Sequence, residues 1–257
     1  MNDTERLGRG IYLLPNLLTT GALFAGFYAI VASMNGQYGA AAVTIYIAMI
    51  LDGLDGRVAR LTNTQSQFGA EYDSLSDMVS FGLAPALVVY QWSLASLAEW
   101  GWFWARLGWL AAFFYVATAA LRLARFNVRL GTLDKRFFQG LPSPAAAAVM
   151  VGMVWVWHDL EVPGADLKLL ALFMTLAAGG LMVSNLTYFS FKDMDARQRV
   201  SFVAILIVVL VLMLAALDPP KVLMMAAFIY AFSGPSQLLW RRYRRYRRKS
   251  ETNVPDS

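Results

Sequence analysis

Four aspartates, Asp52, Asp55, Asp73 and Asp77, form two pairs at spacings i,i+3 and i,i+4. Either spacing puts both carboxylates of a pair on one face of a helix. They sit in Asp52-Gly53-Leu54-Asp55-Gly56-Arg57-Val58-Ala59-Arg60 and, eight residues later, in Gly69-Ala70-Glu71-Tyr72-Asp73-Ser74-Leu75-Ser76-Asp77. With Asp52 as the zero direction of a helix, Asp55 falls near about −60°, Ala59 near about −20°, Gly56 near about +40° and Arg60 near about +80°. Two acids, two residues with almost no side chain and one arginine therefore share a face. Small residues beside acids let a bulky ligand approach the backbone. If a second helix begins at Gly69, that glycine shares the face of Asp73 and Asp77.

Four carboxylates in one space repel one another and would in part protonate unless compensated. Two divalent cations would neutralise them, and hard oxygen ligands suit Mg²⁺ or Mn²⁺. Mg²⁺ leaves coordination positions for substrate phosphates. Two such ions about 3.5–4 Å apart make a clamp for in-line displacement at phosphorus. The plainer alternative is a structural network of the acids with Arg57, Arg60 and other basic residues. The Gly and Ala interleaved among the acids argue against it, because an ion-pair network has no use for the space they clear.

Asp-x2-Asp-Gly-x2-Ala-Arg-x8-Gly-x3-Asp-x3-Asp resembles the motif of the CDP-alcohol phosphotransferases, and every fixed position is filled. The resemblance implies an integral membrane enzyme that cleaves the pyrophosphate of a CDP-linked compound, passes the phosphoryl moiety to an alcohol and releases CMP. It implies metal binding by Asp52, Asp55, Asp73 and Asp77, with Asp77 also the general base. By position, Gly56, Ala59 and Gly69 would line the nucleotide slot, Asp55 would face the CDP-substrate, and Arg60 would pair with phosphate. Asn16 and Thr19, on the first helix, are further candidates for nucleotide contacts. As a helix cap and a packed hydroxyl they would be purely structural.

The elements that must hold these residues are membrane helices. The chain of 257 residues is 58% hydrophobic and 15% charged, against about 45–50% and about 25% for ordinary globular chains. That leaves no room for a large soluble domain. Cysteine is absent, so there are no disulfides or thiolate metal sites. The expected fold is all-α, a polytopic bundle of about eight transmembrane helices, with residues 1–240 as the transmembrane domain. The apolar runs lie near residues 17–34, 38–60, 73–98, 104–126, 142–157, 167–189, 200–217 and 222–240. Most reach the ~20 residues needed to cross a bilayer; the fifth is short. The first is longer than the apolar core of a secretory signal and reads as a retained span. Pro85 should kink the third span, with a neighbouring helix satisfying the freed carbonyl. Pro142 and Pro144 suit the first turn of the fifth helix. Trp92, Trp100, Trp102 and Trp104 read as an interfacial aromatic belt.

Nineteen of the 22 Lys and Arg fall on one side of this arrangement. The other side keeps Arg106, Lys168 and Lys221. The positive-inside rule then places both termini and the aspartates at the cytoplasmic face of the cell membrane. Residues 241–257 form a basic tail, expected to be partly disordered, that anchors topology and could touch anionic lipid headgroups. A run this short beside a membrane does not point to nucleic acid.

The motif leaves the acceptor alcohol open. Leu121-Arg122-Leu123-Ala124-Arg125-Phe126-Asn127, Phe138-Gln139-Gly140-Leu141-Pro142-Ser143-Pro144 and Val183-Ser184-Asn185-Leu186-Thr187-Tyr188-Phe189 resemble the phosphatidylserine synthase branch, as does the opening Pro15-Asn16-Leu17-Leu18-Thr19. That implies CDP-diacylglycerol and L-serine as substrates and a homodimer. A serine carboxylate wants a cation, which Arg122 and Arg125 could supply; equally, both could serve topology alone. Lys192 and Asn185 are weaker candidates, and His158 reads as a loop residue. Glycerol 3-phosphate, inositol phosphate and choline remain alternative acceptors. A cation transporter is a distant alternative, since its acids would be spread through several spans near the midplane.

Overall fold

The computed structural model describes residues 3–129, 137–189 and 202–251. Nine α-helices are present among them: α1 (Asp3–Met34), α2 (Tyr38–Leu61), α3 (Gln67–Asp77), α4 (Ala84–Trp92), α5 (Trp102–Arg129), α6 (Ser143–Asp159), α7 (Lys168–Val183), α8 (Phe202–Leu217) and α9 (Pro219–Glu251). A π-helical turn, Met78–Leu83, joins α3 to α4, and 3-10 turns precede α5 and α7. Among the described residues, four helices are long and apolar enough to cross a membrane. A fifth span arises if Gln67–Trp92 and Leu94–Trp100, bent by 41° at Ser93, are one crossing. The chain is a membrane protein. Among the remaining helices, α6 and α8 have 17 and 16 residues, short of the ~20 that a straight crossing takes.

Small residues organise the first hairpin. Ala22, Ala25, Ala29 and Ala32 of α1 and Ala41, Ala42, Ile45 and Ala48 of α2 are all buried. Their spacing puts a strip of small side chains on each helix, which lets the backbones approach closely where lipid offers no hydrophobic gain. The turn between them is capped at Gly36, whose φ is +74°. The Gln37 N–H reaches the Ala32 carbonyl and the Gly36 N–H the Ser33 carbonyl, the paired bonds of a Schellman motif.

The third span carries a π turn just before its proline. Pro85 stands in the first turn of α4 and cannot bond back to the carbonyl four residues earlier, that of Phe81. The π turn absorbs the mismatch, and the buried Tyr115 hydroxyl of α5 donates to Phe81 O at 3.1 Å. A neighbouring helix thus satisfies the orphaned acceptor. Pro142 and Pro144 bracket the start of α6, as their missing N–H groups allow.

Several boundaries depart from the sequence reading. The third span begins at Gln67 rather than Asp73, because Ser66 caps it, its side chain accepting from the Gly69 N–H at 3.0 Å. The sixth ends at Val183 rather than Phe189, since Ser184 turns extended. The fold is also not wholly helical. Phe137–Gln139 (β1) and Thr187–Phe189 (β2) pair antiparallel, with Phe138 opposite Tyr188, at a run of β-favouring Thr, Tyr and Phe. Helix α9 runs without a break through the basic stretch to Glu251; residues 252–257, expected to be disordered, lie outside the described residues.

On the face away from the aspartates, Trp92 is buried while Trp100 and Trp102 are exposed. Lys168 bonds Glu99 at 2.7 Å and lies over the Trp100 ring, and Arg106 lies over Trp102. His158 stands there too, exposed and edge-on to Tyr38.

Candidate active site

Helices α2 and α3 bring the acids together from opposite directions in the chain, one pair leaving a span and the other entering one. A carboxylate oxygen from each of Asp52, Asp55 and Asp73 lies within 4.8 Å of the others. Oxygen ligands around Mg²⁺ at about 2.0–2.1 Å stand about 3–4 Å apart, so small side-chain adjustments would let one cation touch all three. Asp77 lies outside this trio but near enough to Asp52 for the two carboxyl groups to interact. Contact between two carboxyl groups is unfavourable when both are ionised, and a bound cation relieves it. The donor set, all hard oxygen, fits a divalent cation of the Mg²⁺ class.

Both acid helices are held by α1. Thr19, 4% exposed, donates its hydroxyl to Asp55 Oδ2 at 2.6 Å. Its carbonyl accepts from Ser76 Oγ at 3.2 Å, and one turn on, Ser80 Oγ donates to Ala22 O at 3.0 Å. One residue of α1 thus bonds to α2 through its side chain and to α3 through its backbone. The Thr20 and Tyr72 hydroxyls, 2.9 Å apart, add a further link. At Gly26 an added Cβ would stand 2.7 Å from Ser80 Cα, so the π turn can seat on α1 only where α1 has no side chain.

The small residues among the acids have these surroundings. A Cβ on Gly69 would lie 3.1 Å from Ser66 Oγ and 3.4 Å from Asn16 Oδ1, which puts Asn16 beside the start of α3. Gly56 lies next to the Arg60 guanidinium. Ala59 is half-buried and Arg60 exposed. Thr19 is thus more than a packed hydroxyl, since it bonds a site carboxylate.

Arg122 and Arg125, one turn apart on α5, have different surroundings. Arg122 is buried, donates from Nη1 to Ser143 Oγ at 2.9 Å, and acts electrostatically on Asp77. Its Nε is buried with no hydrogen-bond partner among the described residues. Arg125 donates to backbone carbonyls: Gln139 at 2.9 Å, Met182 at 3.3 Å, Val183 at 3.3 Å and Ser184 at 3.5 Å. Those of Met182 and Val183 belong to the end of α7, where a helix leaves acceptors unsatisfied. Arg125, expected beside Arg122 as a ligand for the acceptor, closes the end of that helix. Asn127, next on α5, donates to Ser74 Oγ at 3.0 Å between the two acids of α3. Asn185 accepts from Gln139, and Lys192 lies outside the described residues.

Ser76, Ser80, Ser143 and Asn127 were not singled out by sequence reasoning. A signal existed for two of them: Ser76 and Ser80 are spaced i,i+4 within an apolar span, where a hydroxyl needs a partner on a neighbouring helix.

The sequence pattern of CDP-alcohol phosphatidyltransferases matches residues 12–186, a stretch containing all four acids, Arg122 and Arg125. The chain is similar to the CDP-diacylglycerol–serine O-phosphatidyltransferase of Helicobacter pylori strain 26695, 39% identical over 223 residues, covering 86% of this chain and 90% of that one. It is similar also to the protein of the same name from Methanocaldococcus jannaschii, 35% identical over 190 residues, covering 74% and 80%. The archaetidylserine synthase of Methanothermobacter thermautotrophicus is 33% identical over 177 residues, covering 68% and 69%.

Proposed function

The chain belongs to the CDP-alcohol phosphatidyltransferase family, and on that premise we propose that it moves the phosphatidyl group of CDP-diacylglycerol to L-serine, giving phosphatidylserine and CMP. The observation that carries this reading is the convergence of Asp52, Asp55 and Asp73 from two helices onto one point, within a chain similar along most of its length to proteins named for that reaction.

Asp52, Asp55, Asp73 and Asp77 would hold two divalent cations, Mg²⁺ or Mn²⁺. When bound, these supply charge neutralisation at the substrate pyrophosphate and at the departing CMP. The chain's own residues do the rest. Gly56, Ala59 and Gly69 keep the nucleotide slot clear, and Arg60 pairs with phosphate. Asn16 and Thr19 border that slot from α1, Thr19 through its bond to Asp55.

Asp77 accepts the proton of the serine hydroxyl as its oxygen forms the new bond to the phosphorus that carries diacylglycerol. The bond from that phosphorus to the CMP oxygen breaks, and CMP departs. Standing outside the compact trio of carboxylates and within electrostatic reach of Arg122, Asp77 suits a proton-transfer role at the acceptor side. Arg122, buried and with its Nε turned to no acceptor among the described residues, is the group that would receive the serine carboxylate.

In the membrane we place eight crossings, both termini and the aspartates at the cytoplasmic face of the cell membrane, where the positive-inside rule puts the basic residues. The exposed apolar side chains of α1 and α5, among them Phe24, Phe27 and Phe113, face lipid or the second subunit of a homodimer. Diacylglycerol chains would reach the site from the bilayer, between helices.

The test is an assay of the protein in membranes with CDP-diacylglycerol, a divalent metal and each candidate alcohol in turn, scored by CMP release and lipid product. Serine is expected to give phosphatidylserine. A phospholipid formed from glycerol 3-phosphate, inositol phosphate or choline, and none from serine, overturns the assignment of the acceptor.

A further inference from the structure

Arg125 donates to four backbone carbonyls. Its guanidinium reaches carbonyls on two segments that are far apart in sequence, Gln139 at the end of β1 and Met182, Val183 and Ser184 at the end of α7. The two segments are bound to each other as well. The Gly140 N–H reaches Leu186 O at 2.8 Å and the Leu141 N–H reaches Leu181 O at 2.9 Å. At Gly140, with φ +81°, a Cβ would stand 2.1 Å from Met182 O and 2.9 Å from Arg125 Nη2. Two residues beyond the fully buried Leu141 comes Ser143, also fully buried, whose hydroxyl accepts from Arg122 Nη1. The stretch that Arg125 fixes therefore ends on the group that orients Arg122, and Arg122 lies near enough to Asp77 to act on its charge.

We propose that Arg125 is a positioning residue for the acceptor site: it locks β1 and the end of α7 together, this sets Ser143, and Ser143 aims Arg122, while Arg125 itself touches no substrate. The inference rests on the reading of Arg122 as the group that receives the serine carboxylate. It assigns Ser143 a role as well, as the last link of the relay. A planar fork is needed at position 125, because one guanidinium serves carbonyls on both segments at once. A lysine ammonium keeps the charge but concentrates its donors on one atom at the end of a flexible stem.

The experiment is a set of initial-rate measurements on Arg125→Lys, Ser143→Ala and the double variant. Serine and CDP-diacylglycerol are varied separately, and thermal unfolding in detergent reports folding. Each single variant is expected to raise the KM for serine about tenfold, the scale of one lost hydrogen bond to a charged group, while the KM for CDP-diacylglycerol stays within about twofold. The double variant is expected to match the worse single one, because both break the same relay. A loss of fold alone would lower the amount of active protein without separating the two KM values. Ser143→Ala removes one oxygen from a helix start, so it decides the matter if Arg125→Lys does not accumulate. An unchanged serine KM, an equal rise for both substrates, or additive effects in the double variant overturns the relay. If wild-type protein uses another alcohol, the serine reading falls, and the same split measured for that alcohol decides the relay independently.

Discussion

The Thr19 hydroxyl lies 2.6 Å from Asp55 Oδ2, a contact between a residue of the first helix and an acid 36 positions later. It holds one oxygen of a carboxylate that converges with those of Asp52 and Asp73. Partners of this kind orient a ligand without contacting the metal and typically alter metal affinity 10–100-fold when removed. Thr19→Val keeps the shape and deletes the donor. The divalent-metal concentration giving half-maximal activity should rise about tenfold, with the rate at saturating metal much less affected.

Asp77→Asn should abolish turnover and leave CDP-diacylglycerol binding largely intact, as measured by nucleotide-dependent protection from thermal unfolding. Asparagine retains the volume and a hydrogen-bonding oxygen but cannot take up the hydroxyl proton. Measurable turnover in Asp77→Asn refutes its assignment as base. In contrast, Asp55→Asn should lose metal-dependent nucleotide binding as well as activity.

Removing divalent cations with a chelator should stop CMP release, and Mg²⁺ or Mn²⁺ should restore it, with Ca²⁺ a poor substitute because of its longer, looser coordination. Activity that persists through chelation would count against any role for cations at the trio.

Tyr115→Phe leaves the Phe81 carbonyl without its donor and should cost about 1 kcal/mol of stability. Pro85→Ala supplies a backbone N–H that can reach the same carbonyl. In the Pro85→Ala background the cost of Tyr115→Phe should therefore shrink. Thermal unfolding of the four proteins in one detergent gives the coupling directly.

Gly26→Ala forces the π turn away from α1 and should destabilise by about 1–3 kcal/mol. Gly180 of α7, where a Cβ meets nothing within 4 Å, is the control. There alanine should be neutral or stabilising by about 0.4–1 kcal/mol.

Much of this site could be read before any coordinates. The i,i+3 and i,i+4 spacings of the aspartates with Gly56, Ala59 and Gly69 among them anticipate a shared face, because helical periodicity is local and survives packing. Pro142 and Pro144 likewise announce their helix start, since a missing N–H is felt within one turn. The π turn was not legible. Its register depends on Pro85, Tyr115 and the bare backbone at Gly26 together, and these come from three helices. Three-residue strands are too short to show a period, so β1 and β2 were invisible within an apolar background. Arg122 and Arg125 look alike as letters. Only the position of the end of α7 makes one of them a clamp for carbonyls and leaves the other with a buried nitrogen to offer.

The tight, glycine-capped turn at Gly36 has a consequence for how the molecule is made. Residues 3–61 contain both halves of the alanine-lined hairpin, so this pair can zip up in the bilayer before α3 has been synthesised. Asp52 and Asp55 are then in place ahead of Asp73 and Asp77, each with only the other's charge to bear. The electrostatic difficulty of the site is thereby postponed until the second pair arrives, at the moment when cations can gather to meet it.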